Sequence, residues 1–249
     1  MAKFLDNFKC FAAFTLAETL IVMGIIGVVA ALTIPNLNSS TADKEKVAKV
    51  MKAYSDINDA IGRAEAVYGP VAEWNQLDSD DAASIKRLGE RTSEFMKISK
   101  TCGMNKDKGC IGKTFFSKTG EDDQLLSKAA GDSANLGYKV ILLDGMSLSV
   151  SAVYGTGDWL FLFDIDGPNK GSSILGKDIF FFTIVRDSSP TELMPDLNGE
   201  VSKPYENCFL AGLCTKWIIN NGNMDYLKAD TSGKCPNGKV LSETVTSCK

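Results

Sequence analysis

The chain has 249 residues, of which 44% are hydrophobic and 23% are charged, and its formal net charge is −4. This composition supports a folded domain with a proper core, and it excludes a disordered or collagen-like chain. The mild acidity disfavours broad nucleic-acid binding, and the absence of histidine excludes Ser–His catalysis, Cys–His catalysis and His-containing zinc sites.

The first feature in chain order is a short charged leader, followed by an apolar run of 21 residues from Phe14 to Ile34. That length suits a membrane-spanning helix. Glu18 is the only charged residue in the run, and a lone acid costs about 2.5–3.5 kcal/mol at the centre of such a helix and less near its end. Glu18 is therefore a candidate functional residue. Its nearest candidate partner is the amine that cleavage after Ala13 would create on Phe14.

The sequence AFTLAE at positions 13–18 resembles the processing site of class III signal peptides, which belong to type IV pilins and type II secretion pseudopilins. In that family a small residue precedes the cut, Phe follows it, and Glu is the fifth residue of the mature chain. Ala13, Phe14 and Glu18 occupy these places, although the family usually has Gly where this chain has Ala13. The family commonly has a proline at mature position twenty-two, and that residue is Pro35 here.

The resemblance implies a structural subunit and not an enzyme. It implies cleavage between Ala13 and Phe14, N-methylation of Phe14, and a single-pass protein of the bacterial cytoplasmic membrane whose globular domain is periplasmic or extracellular. In related filaments, the carboxylate at the place of Glu18 meets the amine of a neighbouring subunit. The partners implied are other copies, sister pilins or pseudopilins, the prepilin peptidase, membrane lipid before assembly, and an inner-membrane platform with a cytoplasmic ATPase.

Two other interpretations of the N-terminus remain open. An ordinary secretory signal peptide has a basic start, here Lys3 and Lys9, and small residues near its cut, here Ala30 and Ala31. A secreted enzyme behind such a peptide is disfavoured because histidine and the common catalytic motifs are absent. A plain, uncut anchor would instead give a membrane-anchored extracytoplasmic ligand-binding protein or adhesin that does not polymerise.

The helical pattern continues to about Val67, and Pro35 predicts a kink or a local break in it. Beyond Asp43, lysines and other polar residues fill one face, and an apolar stripe at helical spacing predicts packing on a globular domain. The stripe consists of Val47, Val50, Met51, Tyr54, Ile57, Ile61 and Ala64. We divide the chain into a leader 1–13, a transmembrane and polymerisation helix 14–35, its amphipathic second half 36–70, and a globular domain 71–249.

The globular domain is predicted to be α+β, with the long helix packed on an antiparallel sheet of about four strands. A second helix is predicted over 77–99 and a short one over 215–220, within a disulfide-linked C-terminal region. The strands are predicted at 138–143, 146–154, 159–163 and 179–185.

Seven cysteines are present, and removal of the leader would remove Cys10 and leave an even six. An even number fits three disulfides in an oxidising compartment, with fifteen possible pairings. Free thiols are the alternative, and the lack of a CxxC pair disfavours zinc. Pairing of near neighbours closes the shortest loops and is the simplest arrangement: Cys102–Cys110, Cys208–Cys214 and Cys235–Cys248.

The loop at 162–182 is a candidate calcium site because Asp164, Asp166, Asn169 and Asp178 offer the hard oxygen ligands that calcium prefers. The stretch also resembles a loop of some pseudopilins, a family in which certain members bind calcium. The spacing does not match an EF-hand. We favour the alternative, a hairpin whose Asp side chains hydrogen-bond the backbone, and we expect no required cofactor.

Overall fold

A computed structural model of the chain describes residues 16–74, 82–104, 109–112, 116, 137–152, 158–170, 173–185, 190–195, 208 and 214–249. Over 30 and 32–40 it describes the backbone only. The chain divides into two compact units, Met1–Ala42 and Asp43–Lys249. The second unit, which we call the head, is an α+β structure, as the sequence predicts.

The first helix, α1, extends from Leu16 to Tyr68 and contributes to both units. Its backbone remains helical past Pro35, so the local break that this proline predicts is absent, although proline has no backbone N–H to donate within a helix. Among the described residues, no helix is both long and apolar enough to cross a membrane. The membrane-spanning role predicted for the first half of α1 stays a prediction.

The described residues of the head include two shorter α-helices whose bounds are both given. Helix α2 is Ala82–Ser93 and helix α3 is Thr215–Asn221. The prediction extended α2 too far, because the residues from Ile98 onward leave the helix and pair with a strand. Gly222 ends α3 in a left-handed conformation with φ 62°, and its N–H donates to the carbonyl of Ile218 at 2.8 Å; this is the usual role of a glycine after a helix.

The described part of the head contains one antiparallel sheet whose six strands are neighbours in sequence order. The strands are β1 Ile98–Gly103, β2 Tyr138–Leu142, β3 Ser147–Ala152, β4 Trp159–Asp164, β5 Ile179–Ile184 and β6 Leu193–Met194.

The predicted sheet of about four strands is thus too small. The four strands that the sequence predicts are β2 to β5, and both outer strands were missed. β1 pairs with β2 through two irregularities and has a mostly exposed surface, so it lacks a clear alternation of polar and apolar residues. β6 has only two residues, which is too short for a periodic signal.

The second half of α1 packs on the sheet through the predicted apolar stripe. Val50, Ile57, Ile61 and Ala64 are buried, and so are two alanines that the prediction omitted, whereas Met51 is only half-buried. Each large aliphatic side chain buried in this way contributes about 1.5–3 kcal/mol. Tyr54 meets the sheet at Phe182, with 5.5 Å between ring centroids.

Strands β4 and β5 are buried along their whole length. Phe161, Phe163, Phe180 and Phe182 belong to the core that includes α1, whereas Leu162 packs on the opposite face of the sheet. Burial on both faces explains why these strands read as nearly continuous apolar runs and not as alternating ones.

The cysteines pair as near neighbours: Cys102–Cys110, Cys208–Cys214 and Cys235–Cys248. This is the simplest pairing expected from the sequence. The C-terminal region is part of the core of the head, since Trp217 and Tyr226 are buried in it. The hydroxyl of Tyr226 donates to the carbonyl of Gly176 at 2.5 Å, and burial raises the pKa of this tyrosine well above its ordinary value.

Gly89 offers a direct test of the packing between α2 and the sheet. A Cβ at Gly89 would lie 2.3 Å from Cγ of Tyr138, whereas a Cβ at Gly62, in α1, would meet nothing within 4 Å. We expect Gly89→Ala to lower the free energy of unfolding by about 1–3 kcal/mol through overpacking. The matched control, Gly62→Ala, should raise it by about 0.5–1 kcal/mol. Denaturant unfolding measures both, and a stabilised Gly89→Ala protein would contradict the packing.

Candidate functional site

The first half of α1 presents large apolar side chains to its surroundings. Nine of them are 54–78% exposed: Leu16, Leu20, Ile21, Val22, Met23, Ile25, Ile26, Val28 and Val29. Because successive residues on a helix point in directions about 100° apart, this run is apolar on every side. Such a helix is stable only when lipid or protein surrounds it. We call Leu16–Val29 the apolar segment.

Glu18 lies within the apolar segment, in the first turn of α1, and is an exposed acidic residue. An acid in the first turn is favoured by the positive end of the helix dipole. Ala13 and Phe14 lie outside the described residues, as does the side chain of Pro35. The predicted cleavage, methylation and pairing between Glu18 and a Phe14 amine therefore stay predictions.

The candidate calcium ligands come together in part. Asp166 and Asp178 meet two lysines of α1. The Nζ of Lys46 donates to Oδ1 of Asp178 at 2.5 Å and lies 3.6 Å from Oδ2 of Asp166, and the Nζ of Lys49 lies 3.5 Å from Oδ1 of Asp166. Asn169 is exposed in a turn. The sequence places these lysines on the face of α1 other than the apolar stripe, and nothing in their spacing identifies their partners across the fold.

Asp164 behaves as the hairpin interpretation predicts. Its Oδ1 accepts the backbone N–H groups of Asp166 and Gly167 at 3.2 Å and 3.0 Å, which is an Asx-type turn. Its Oδ2 has no hydrogen-bond partner, and the residue is 1% exposed. Burial raises the pKa of Asp164 to about 7; the backbone hydrogen bonds oppose the shift and the charges of Asp166 and Asp178 add to it.

A third lysine of α1 contacts the neighbouring turn of the sheet. The Nζ of Lys52 lies 2.5 Å from Oδ2 of Asp56 and 2.7 Å from Oδ2 of Asp144, which is in the β2–β3 turn. The backbone of this turn lies directly against the backbone of the β4–β5 connection. Gly167 has a φ of +82°, and a Cβ there would lie 2.3 Å from the carbonyl oxygen of Gly145; only glycine fits.

We call Lys46, Lys49 and Lys52 the lysine ladder. Its three members lie at successive i, i+3 positions, and each meets a carboxylate of a sheet turn. Lys52 is half exposed, and a pair of that kind contributes about 0–1 kcal/mol. Asp178 is nearly buried, so Lys46 is its necessary partner, since an unpaired buried carboxylate is strongly destabilising.

The described residues contain no group of three His, Cys, Asp or Glu side chains that could hold a metal ion. Next to Asp166 and Asp178, the positive charge is supplied by lysine ammonium groups.

No protein-family model, no curated protein and no solved structure matches the chain. Its function therefore has to be argued from its own residues.

The pH dependence of stability tests the geometry of Asp164. With a folded-state pKa of about 7 against an unfolded value near 4, Asp164 contributes stability that is complete below about pH 4 and is lost as the pH rises through about 7. We expect Asp164→Asn to raise the free energy of unfolding by on the order of 2–4 kcal/mol at pH 8. The gain should shrink toward zero near pH 4.

Denaturant unfolding at several pH values measures this effect. Asp59→Asn is the matched control, because Asp59 is exposed and, among the described contacts, pairs only with Arg63 in the adjacent turn of α1. Its effect should stay within about 0.5 kcal/mol at every pH. If Asp164→Asn raised the free energy of unfolding equally at every pH, that result would contradict the burial of Oδ2 of Asp164 without a hydrogen-bond partner.

Proposed function

We propose that this protein is a structural subunit, pilin-like or pseudopilin, of a filament of the type IV pilus or type II secretion class. The observation that carries the proposal is the apolar segment of α1, exposed on every side, with the acid Glu18 in the first turn. A helix of this kind needs a sheath of apolar partners, and packed copies of the same helix supply one.

Glu18 favours assembly over a helix that simply remains in lipid. A carboxylate among apolar side chains must find a cation or take up a proton. In the proposed filament the cation is the amine of Phe14 on a neighbouring subunit, which cleavage after Ala13 creates. Because a slipped helix would leave both charges unpaired, this contact fixes the axial register of adjacent subunits.

The membrane step of the proposal rests on the sequence. The run from Phe14 to Ile34 has the length of a membrane span and one charge. Lys3 and Lys9 in the leader favour a cytoplasmic N-terminus, which leaves the head on the periplasmic or extracellular side. The three disulfides of the head suit the oxidising conditions found there.

The remaining partners follow from the resemblance of positions 13–18 to class III signal peptides. The prepilin peptidase would cut between Ala13 and Phe14 and methylate the new amine. An inner-membrane platform driven by a cytoplasmic ATPase would move each subunit from lipid into the filament. Sister pilins or pseudopilins would share the filament with this chain, and the head has no catalytic role in this scheme.

Replacement of Glu18 tests the assembly step. We expect Glu18→Ala to keep membrane insertion and cleavage but to reduce the filament yield roughly tenfold or more, since each ~1.4 kcal/mol of lost pairing changes an association constant tenfold. Sheared filaments are quantified against total protein, and cleavage is followed by intact mass. Asp59→Ala is the matched control, because Asp59 is an exposed acid of the same helix that pairs only with Arg63 among the described contacts.

Normal filaments from the Glu18→Ala protein would contradict the register contact. Loss of filaments from the Asp59→Ala protein as well would show that any charge change in α1 blocks assembly, and it would contradict a special role for Glu18.

We further propose that Lys46 and Lys49, and not calcium, neutralise Asp166 and Asp178. Their ammonium groups lie 2.5–3.6 Å from the carboxylate oxygens, where a cation would otherwise have to bind. Titration of the protein with millimolar calcium in a calorimeter should therefore give no saturable heat and no rise in melting temperature. A saturable heat together with a rise in melting temperature would restore calcium as the counter-ion of the loop.

A further inference from the structure

The way in which α1 is held to the head changes at Val50. From Val50 to Ala64 the helix is fixed by buried apolar side chains that recur along one face. In Asp43–Lys49, all of which the structure describes, no side chain is fully buried. Val47 is half-buried at the edge of the core and is the one apolar side chain of this stretch that packs against it.

Polar contacts hold Asp43–Lys49 in place instead. Lys46 donates to Oδ1 of Asp178 at 2.5 Å and to the carbonyl of Lys177 at 3.3 Å, and Lys49 lies 3.5 Å from Asp166. All these partners lie on the β4–β5 connection. An ion pair of this kind requires its nitrogen and oxygen atoms to lie within about 4 Å of each other, so a separation of a few ångströms ends these contacts together.

We propose that Asp43–Lys49 is an ionic latch, which detaches from the β4–β5 connection while the rest of α1 stays bound to the head. The latch is also the first stretch of the head in chain order, because the two compact units divide between Ala42 and Asp43. A pull on the apolar segment is therefore transmitted through the backbone to the latch before it reaches any buried residue.

Release stops at Val50 for two reasons. Val50 and Ala53 are fully buried, so further detachment would expose apolar surface. Lys52 is bound both to Asp56 of its own helix and to Asp144. Within the latch, Glu45 and Lys49 lie 3.3 Å apart as an i, i+4 pair, which supports the helical conformation after detachment.

The consequence for a filament rests on the proposed function. Seven residues of helix are about 10 Å long at 1.5 Å per residue. Release of the latch would let the head move by up to about that length relative to the apolar segment, and its core would stay closed. The latch itself does not depend on polymerisation, so it can be tested on the unassembled protein.

The experiment measures distances between spin labels in the full chain, purified in detergent, with Cys10→Ser to remove the seventh cysteine, which is not part of the three disulfides. The first pair is Lys44→Cys with Lys170→Cys, which joins the latch to the β4–β5 connection. The reference pair is Asn58→Cys with Lys170→Cys, whose first label lies on the buried part of α1. All three positions are exposed.

Two variants break the latch from opposite sides: Asp166→Asn with Asp178→Asn, and Lys46→Met with Lys49→Met. With the native latch we expect one narrow distance for each pair. In both variants the Lys44 pair should gain a population that is longer by several ångströms, up to about 10 Å, while the Asn58 pair keeps its narrow distance.

A Lys44 distance that stays single and narrow in both variants would overturn the latch. Equal broadening of the Asn58 pair would overturn it too, since α1 would then loosen as a whole. Neither outcome bears on filament formation, which the Glu18→Ala protein tests separately.

Discussion

A helix that is apolar on every side has to be surrounded by lipid or protein, and the proposed function of this molecule depends on that requirement. Nine large apolar side chains between Leu16 and Val29 are more than half exposed. Enclosing them is worth on the order of 10 kcal/mol or more, at about 1.5–3 kcal/mol for each side chain fully buried. That free energy is comparable to the total stability of a typical domain, so it is large enough to drive insertion or assembly. Apolar contact alone, however, does not select one axial alignment of neighbouring helices.

Charge can provide the specificity that apolar contact lacks, and α1 carries charged groups suited to this at two places. Near its start, Glu18 is one acid in an apolar run, and in the proposed filament its pairing with the Phe14 amine would distinguish one helix alignment from another. In the head, the lysine ladder meets the carboxylates of two sheet turns and aligns the helix along the sheet. Between Val50 and Ala64 the same helix is held by burial. One helix therefore uses apolar burial for strength and ion pairs for alignment.

Local signals in the sequence predicted much of this fold. The stripe of α1 and strands β2 to β5 follow from apolar periodicity, and the disulfides follow from the shortness of the loops that they close. The sequence did not reveal β1, β6 or the end of α2, because pairing across the sheet decides them and no local pattern records it. The contacts of Lys46 with Asp178 and of Lys52 with Asp144 join residues far apart in sequence. At Asp164 the turn was predictable from the Asp and Gly residues, but the burial that shifts its pKa was not.

The most direct test of the central claim is the N-terminus of the protein isolated from its native envelope, determined by sequencing and intact mass. Enclosure of the apolar segment in a filament, with Glu18 paired to a new amine, predicts a chain that starts at Phe14 and carries a methyl group there. A chain that still begins at Met1 would contradict this account and support the uncut, ligand-binding anchor. A chain that starts after about residue 31 would contradict it as well, because conventional secretion would have removed the apolar segment and Glu18 with it.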